Sequence, residues 1–473
     1  MHSLSFKSLL CFLMIALSLQ VRADLPDPVA KALRLVGVPE TSVSVFVQAV
    51  DEDRPLIAHA AEQPMNPAST MKLLTTYAGL EMLGPAYAWR TEIYTSVPPQ
   101  GDELHGDLIL KGYGDPAMTQ ENFWNLVRTL RQKGVREIHG DLVLDRSYFE
   151  ELPYDPGAFD GEPYRVYNTG PDALLVNFKA TRFIFSGNAQ SGMVEIVADP
   201  TLPQLKVVND LALRHVPCAD WQDRLGYRVE REAGQVTITF SGNYSLACGE
   251  KDLHLSLFDD ATYVFALFKR LWQEQGGVIH GKLRAGNMPE GAVRVVQSNS
   301  PPLADVIRQI NKYSNNVMAR QLLMSLGAEQ YGPPGSAASG VRAVHEWLAG
   351  KDLHFQELVI ENGAGLSREA RISAQHLGQL LLAAYASPVM SELMSSLPVV
   401  AVDGTMRRRL KDSAVVGRGH LKTGSLEGVR AVAGYLMDTK GRRWVVVFMA
   451  NHPRAAATRN AQDALLEWLH HHD

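Results

Sequence analysis

A strand followed by a helix near one end of the chain, and two strands followed by a helix at the other, constrain the fold more than any other pattern. From Val43 to Val50 the residues alternate, with Val43, Val45 and Val47 on one face. A helix then runs through Leu73, Leu74, Tyr77, Leu80 and Leu83, starts after Asn66-Pro67 and stops at Gly84-Pro85. At the far end, Val429–Met437 and Arg443–Ala450 read as strands, and a last helix covers about Ala456 to Leu469. Units so far apart in a 473-residue chain predict one α/β (α+β) domain interrupted by a large insertion, with two or three domains in all.

The stretch between has a different character. Strands are expected at Leu104–Leu110 and Gly140–Asp145, a turn at Gly112–Pro116, and helices at Glu121–Gln132, Ala261–Gln275 and Leu303–Met324. From Gly187 to Asp252, short strands such as Val194–Val197 and Val236–Phe240 are punctuated by Gly, Pro and Asn, as in a small nested β module. No internal repeat is evident.

Residues 1–23 read as a cleaved secretory signal: Lys7 precedes a Leu9–Leu17 apolar run too short to span a bilayer, and small Ala23 follows. Export puts Cys218 and Cys248, both inside the β module, in an oxidising compartment, where a structural disulfide is expected. Such a loop contributes roughly 3–4 kcal/mol on the chain-entropy account. The formal charge of -5, without a basic patch, argues against nucleic-acid binding. The histidines are scattered along the chain, and neither a metal site nor a cofactor is expected.

Three short motifs carry chemistry. Ser69-Thr70-Met71-Lys72 places a hydroxyl and an amine three residues apart at a helix start, hence on one face. That pairs a candidate nucleophile with a base. Ser314-Asn315-Asn316 borders a helical pattern, whereas the S-x-N runs at Ser186 and Ser241 have a central glycine and read as turns. Lys422-Thr423-Gly424-Ser425 opens a strand, with Lys422 and Gly424 on one face and Gly424 leaving room for a ligand backbone. Each motif taken singly is commonplace. The order S-x-x-K, S-x-N, K-T-G is not; it is the set of penicillin-binding proteins and class A β-lactamases, with Asn315 replacing the usual central aspartate.

The long interval from Ser69 to Ser314 narrows the resemblance. The chain resembles the class C low-molecular-mass penicillin-binding proteins, the serine D-alanyl-D-alanine carboxypeptidase/endopeptidase family, and Gly112–Pro116, Asp145–Phe149, Asn362–Arg368 and Val402–Thr405 match its pattern. The resemblance implies a transpeptidase-like domain (24–89 and 293–473), an inserted domain (90–186 and 253–292) and a nested β domain (187–252). It implies Ser69 as nucleophile, Lys72 as base, Ser314 as proton relay, and Asn316, Lys422, Thr423, Gly424 and Ser425 in substrate binding. The oxyanion hole falls to the backbone N–H groups of Ser69 and Ser425. Asp145 and Arg368 are expected to meet the amine and carboxylate of a stem-peptide diamino acid. Glu361 sits in a setting unlike a β-lactamase deacylation loop, so slow release of β-lactams is expected. The expected partners are peptidoglycan stem peptides, β-lactams as covalent inhibitors and, as an open alternative, a weak homodimer; the expected location is the periplasm. Competing readings are a β-lactamase or esterase on the same scaffold and a non-catalytic penicillin-binding sensor.

Overall fold

A computed structural model describes residues 24–232 and 234–472. The expected signal segment lies outside the described residues.

The two ends of the chain build one sheet. Its antiparallel strands run in the order Gly419–Leu426, Val429–Met437, Arg443–Asn451, Val43–Ala49, Ile57–His59. Val43 faces Ala450 and Ala49 faces Trp444, so the first strand closes against the last. Alternation in Val43–Ala49 separates two cores rather than core from solvent, and all seven residues are buried. Val43, Val45, Val47 and Ala49 meet the terminal helices Asp27–Val36 and Arg459–His470. Phe46, on the other face, packs in the core that holds Lys72–Leu83 and Ala374–Tyr385. A sheet covered on both faces needs apolar residues at both parities.

Two central helices, Lys72–Leu83 and Asn316–Tyr331, are buried over most of their surface. The single expected helix over Leu303–Met324 is two, Leu303–Lys312 and Asn316–Tyr331, broken at Ser314. Ser314 takes a left-handed backbone (φ 58°), a conformation that costs a non-glycine residue roughly 1–2 kcal/mol. Asn315 caps the second helix by accepting from the Met318 N–H at 3.0 Å.

The inserted chain forms a five-stranded sheet in the order Leu283–Ala285, Leu142–Asp145, Leu108–Gly112, Arg90–Thr95, Val293–Asn299. Val293–Asn299 pairs with Arg90–Thr95, so this sheet extends past the boundary expected at 292. Helices Gln120–Gln132 and Asp260–Glu274 share its core. The expected strand Leu104–Leu110 is two, Glu103–Leu104 and Leu108–Gly112, interrupted at His105-Gly106. A short repeat that sequence inspection overlooks also emerges. Glu103–Leu104, Glu137–Ile138 and Val278–Ile279 form a parallel three-stranded sheet, each strand followed by His-Gly. The glycines are required there: a Cβ at Gly140 would collide with the Gly106 carbonyl, and one at Gly281 with the Gly140 carbonyl.

Two small sheets extend the insertion. Leu205–Arg214 lies parallel to Gln235–Ser245, which pairs with Leu225–Glu232. Ala180–Asn188 is flanked by Met193–Asp199 and Lys251–Ser256. The bounds expected for the β module, 187 and 252, therefore cut through two strands. Cys218 and Cys248 are bonded, as expected, beside an aromatic core in which Phe240 meets Phe183 and Phe185 at 5.0 Å.

Candidate active site

Ser69 lies on a 3-10 turn, Ala68–Met71, that runs straight into the helix Lys72–Leu83. The turn is held from three sides. The Asn66 side chain donates to the Ser367 carbonyl (2.8 Å) and accepts from the Ala68 N–H (2.9 Å), while the Asn66 N–H donates to Asn451 Oδ1 (2.7 Å). Ala68 has a positive φ of 46°, and its carbonyl fills the space where a Cβ of Gly365 would sit. Gly424 meets the turn from the strand side: a Cβ there would lie 2.6 Å from the Pro67 carbonyl oxygen. This corrects the expectation for Gly424. Its missing side chain admits the nucleophile's own turn, not a ligand backbone.

The three motifs converge on two buried lysines. Lys72 is wholly enclosed, and its Nζ donates to Ser69 Oγ (2.9 Å), Asn316 Oδ1 (2.7 Å) and the Ala364 carbonyl (2.5 Å). Burial, then the positive charges of Lys422 and Arg320, hold its amine well below the ordinary lysine range. Lys422 is equally enclosed and donates to Ser314 Oγ and the Thr423 carbonyl, both at 2.8 Å. Burial brings its pKa down to about 7. Among the described residues, none of the hydrogen bonds of either lysine goes to a carboxylate, so neither ammonium has a full countercharge there. A neutral Lys72 offers a lone pair to the Ser69 proton, and Ser314 Oγ lies beside the second amine. The arrangement suits proton removal from Ser69 and proton return to a leaving group. With Asn316 Oδ1 committed to Lys72, its NH2 group is the part suited to a ligand carbonyl.

The remaining motif residues face outward. Thr423 Oγ1 bonds Thr405 Oγ1 at 2.7 Å, and exposed Ser425 accepts from Arg430 Nη1 at 2.7 Å. A cleft of about 470 Å³ is lined by Tyr154 and Phe159 of the insertion and by Arg320, Glu361 and Arg368 of the helical side. Arg368 stacks on Phe159 (4.8 Å), donates to the Glu427 carbonyl (3.1 Å) and lies 3.6 Å from the Glu427 carboxylate. Glu361 is exposed, as expected of an acid beside a turn.

Asp145 is not where a substrate amine could reach it. It is completely buried in the inserted sheet, where its carboxylate accepts from Lys111 Nζ (2.9 Å), Ser147 Oγ (2.6 Å) and the Met288 N–H (2.8 Å). Burial alone would raise its pKa; these hydrogen bonds outweigh it and hold the carboxyl below the ordinary range. The expected pairing with a diamino-acid amine is therefore corrected: the charge is already neutralised from within.

Sequence reasoning did not find Asn66 or Arg320 as members of this site, and it flagged the segments that hold Ala364 and Thr405 only as family pattern, without a role. Backbone carbonyls leave no compositional trace. Arg320 sits mid-helix with no motif, and is tied to the Tyr167 and Thr169 carbonyls at 3.1 and 2.9 Å.

Comparison with known proteins bears on this geometry. Residues 28–472 match the D-Ala-D-Ala carboxypeptidase 3 (S13) family. A D-alanyl-D-alanine carboxypeptidase of Actinomadura sp. is 29% identical over 398 residues, 79% of this chain and 71% of that protein. The D-alanyl-D-alanine carboxypeptidase DacB of Haemophilus influenzae is 24% identical over 423 residues, 88% and 86% of the two chains. The crystal structure of penicillin-binding protein 4 from H. influenzae superposes with a TM-score of 0.79 at 23% identity, covering 93% of this chain and 99% of that one, and shows the same fold.

Proposed function

Because the chain belongs to the D-Ala-D-Ala carboxypeptidase 3 (S13) family, we propose that Ser69 is the nucleophile of its serine-peptidase reaction. The observation that carries this is the fully buried Lys72 amine 2.9 Å from Ser69 Oγ, held toward its neutral form.

The enzyme is a serine-type D-alanyl-D-alanine carboxypeptidase, and its steps follow from the groups in place. Lys72 takes the Ser69 proton as Oγ bonds to the carbonyl carbon of the penultimate D-alanine. Charge on the carbonyl oxygen falls to the Ser69 and Ser425 backbone N–H groups; removing one such donor in comparable acyl transfers costs about 3–4 kcal/mol. The carbon–nitrogen bond breaks, and Ser314 passes a proton to the departing amine, leaving an ester on Ser69. Water then cleaves that ester. Lys422, while charged, and Thr423 hold the terminal carboxylate. Asn316 holds the stem-peptide amide, and Arg368 the side-chain carboxylate of a diamino acid. Endopeptidase cleavage of a D,D cross-link is the same reaction with a neighbouring stem peptide as leaving group. β-Lactams acylate Ser69 and leave slowly, since the exposed Glu361 does not form a dedicated deacylation base. Residues 1–23 read as an export signal, and a peptidoglycan substrate supports a periplasmic location for the mature enzyme. No helix among the described residues is long and apolar enough to cross a membrane.

The test is intact-mass detection of one penicilloyl adduct together with D-alanine release from a pentapeptide stem. Wild type gives both and Ser69→Ala gives neither. Adduct without D-alanine release points to a sensor; fast drug turnover with no lasting adduct points to a β-lactamase. Either result overturns the reading.

A further inference from the structure

Three histidines that are far apart in the chain stand side by side on the inserted domain. The segments Glu103-Leu104-His105-Gly106, Glu137-Ile138-His139-Gly140 and Val278-Ile279-His280-Gly281 run parallel, with Glu103, Glu137 and Val278 in register and Leu104, Ile138 and Ile279 in register. The ladder continues one residue further, for the His139 N–H donates to the Leu104 carbonyl and the His280 N–H to the Ile138 carbonyl, both at 2.9 Å. Residues two apart on a strand share a face. One rung therefore presents Glu103 and Glu137, and the next His105, His139 and His280, on one surface. The imidazoles stack, with centroids 4.6 Å apart for His105–His139 and 5.1 Å for His139–His280.

Packing explains the rest of this repeat but not its histidines. Leu104, Ile138 and Ile279 are core residues, and the glycines allow the close backbone approach described above. The three imidazoles are 50%, 37% and 51% exposed. All three aim Nε2 at the carboxylates: Glu103 Oε2 lies 3.2 Å from both His105 and His139, and Glu137 Oε1 lies 2.8 Å from His280 and 4.0 Å from His139.

We propose that Glu103, His105 and His139 form the seat of one divalent transition-metal ion of the zinc class, with Glu137 and His280 bordering it. A tetrahedral zinc ion with bonds of about 2.0–2.1 Å spaces its ligand atoms about 3.3 Å apart. Two edges of this triplet are already 3.2 Å, and all three ligand atoms lie within 4.8 Å of one another. His139 also belongs to the second triplet with Glu137 and His280, so one ion per chain is the expected stoichiometry. Glu137 is the poorer ligand because Arg136 Nη2 lies 3.6 Å from its carboxylate. Two imidazoles and one carboxylate suit zinc, nickel or copper rather than magnesium or calcium. The remaining positions stay open to water. Such an ion would cross-link strands separated by more than thirty residues, adding stability by binding only the folded state. Since the side-chain partners of these residues lie within the inserted domain and not around Ser69, thermal stability and not turnover is the property that responds.

Calorimetric titration of the metal-free full chain with zinc chloride tests this, with thermal unfolding followed alongside. Exposed His471 and half-buried His472, adjacent in the chain, are a competing source of affinity, so His471→Ala/His472→Ala is the control. One zinc per chain is expected, retained in that double variant and weakened at least tenfold in His139→Ala and in His105→Ala, with no heat from magnesium chloride. Zinc should raise the unfolding temperature of wild type and leave that of His139→Ala unchanged. Each of those variants removes an exposed ring, and its unfolding temperature without zinc shows that it folds. Binding that survives His139→Ala, or vanishes in the tail variant, or equals that of magnesium, overturns the site.

Discussion

The catalytic site and the inserted sheet each bury a lysine or a carboxylate completely, and they treat it in opposite ways. Asp145 has Lys111 against it and donors on both oxygens. Among the described residues, Lys72 has only neutral acceptors and a second ammonium nearby. A buried charge with its countercharge is a structural fixture; a buried amine without one is pushed toward neutrality and becomes a base. Burial alone does not distinguish the two.

That contrast can be broken by exchanging what each group lacks. Lys72→Met has the largest expected effect on function: D-alanine release falls by roughly 10²–10⁴. Unfolding free energy stays level or rises, because an apolar chain replaces an amine that was costly to bury. A large loss of stability in this variant would refute the claim that Lys72 is uncompensated. Asp145→Ala should do the reverse. It leaves Lys111 unpaired and lowers stability by about 3–5 kcal/mol, as read by denaturant unfolding, while the folded fraction keeps its turnover number. Lost turnover in fully folded Asp145→Ala would return that residue to the active site.

Next in size is the pH profile of kcat/KM, which reports groups of the free enzyme. Lys72 must be neutral, so activity rises with pH through its depressed pKa. Lys422 must be charged to hold a carboxylate, so activity falls as pH rises past about 7. The permanently charged Lys422→Arg should move that alkaline fall upward, whatever it costs in rate; an unmoved limb assigns it to another group. The smallest effect belongs to Arg368→Ala. KM for a stem peptide carrying the diamino-acid carboxylate should rise several-fold with kcat little changed, in keeping with a half-exposed ion pair of about 1 kcal/mol.

Much of the catalytic site was legible because its signals are local. Ser69 and Lys72 are one helical turn apart, and Lys422-Thr423-Gly424 opens a strand whose apolar run is unmistakable. One domain built from both ends of the chain was implied by strand–helix patterns there, whereas the pairing of the first strand with the last was not. Other features were legible only in part. The break at Ser314 hides inside a continuous apolar period, since Leu303–Lys312 and Asn316–Tyr331 read as one helix until the left-handed residue is seen. The histidine rows of the insertion were passed over because a four-residue repeat at unequal spacing has no period. Gly424 does mark a close approach, but the neighbour is the Pro67–Ala68 turn, which no local pattern reveals.

By itself, then, the sequence determined which residue types stand at short range: the hydroxyl with its amine, the alternating strands and the cysteines available for a bond. Tertiary structure alone decided what those groups become. Desolvation, countercharge and encounter are properties of what packs from elsewhere in the chain. Ala364, Asn316 and Lys422 reach Lys72 and Ser69 from distant segments and dry the amine into a base, whereas Lys111 reaches Asp145 and leaves it a salt bridge.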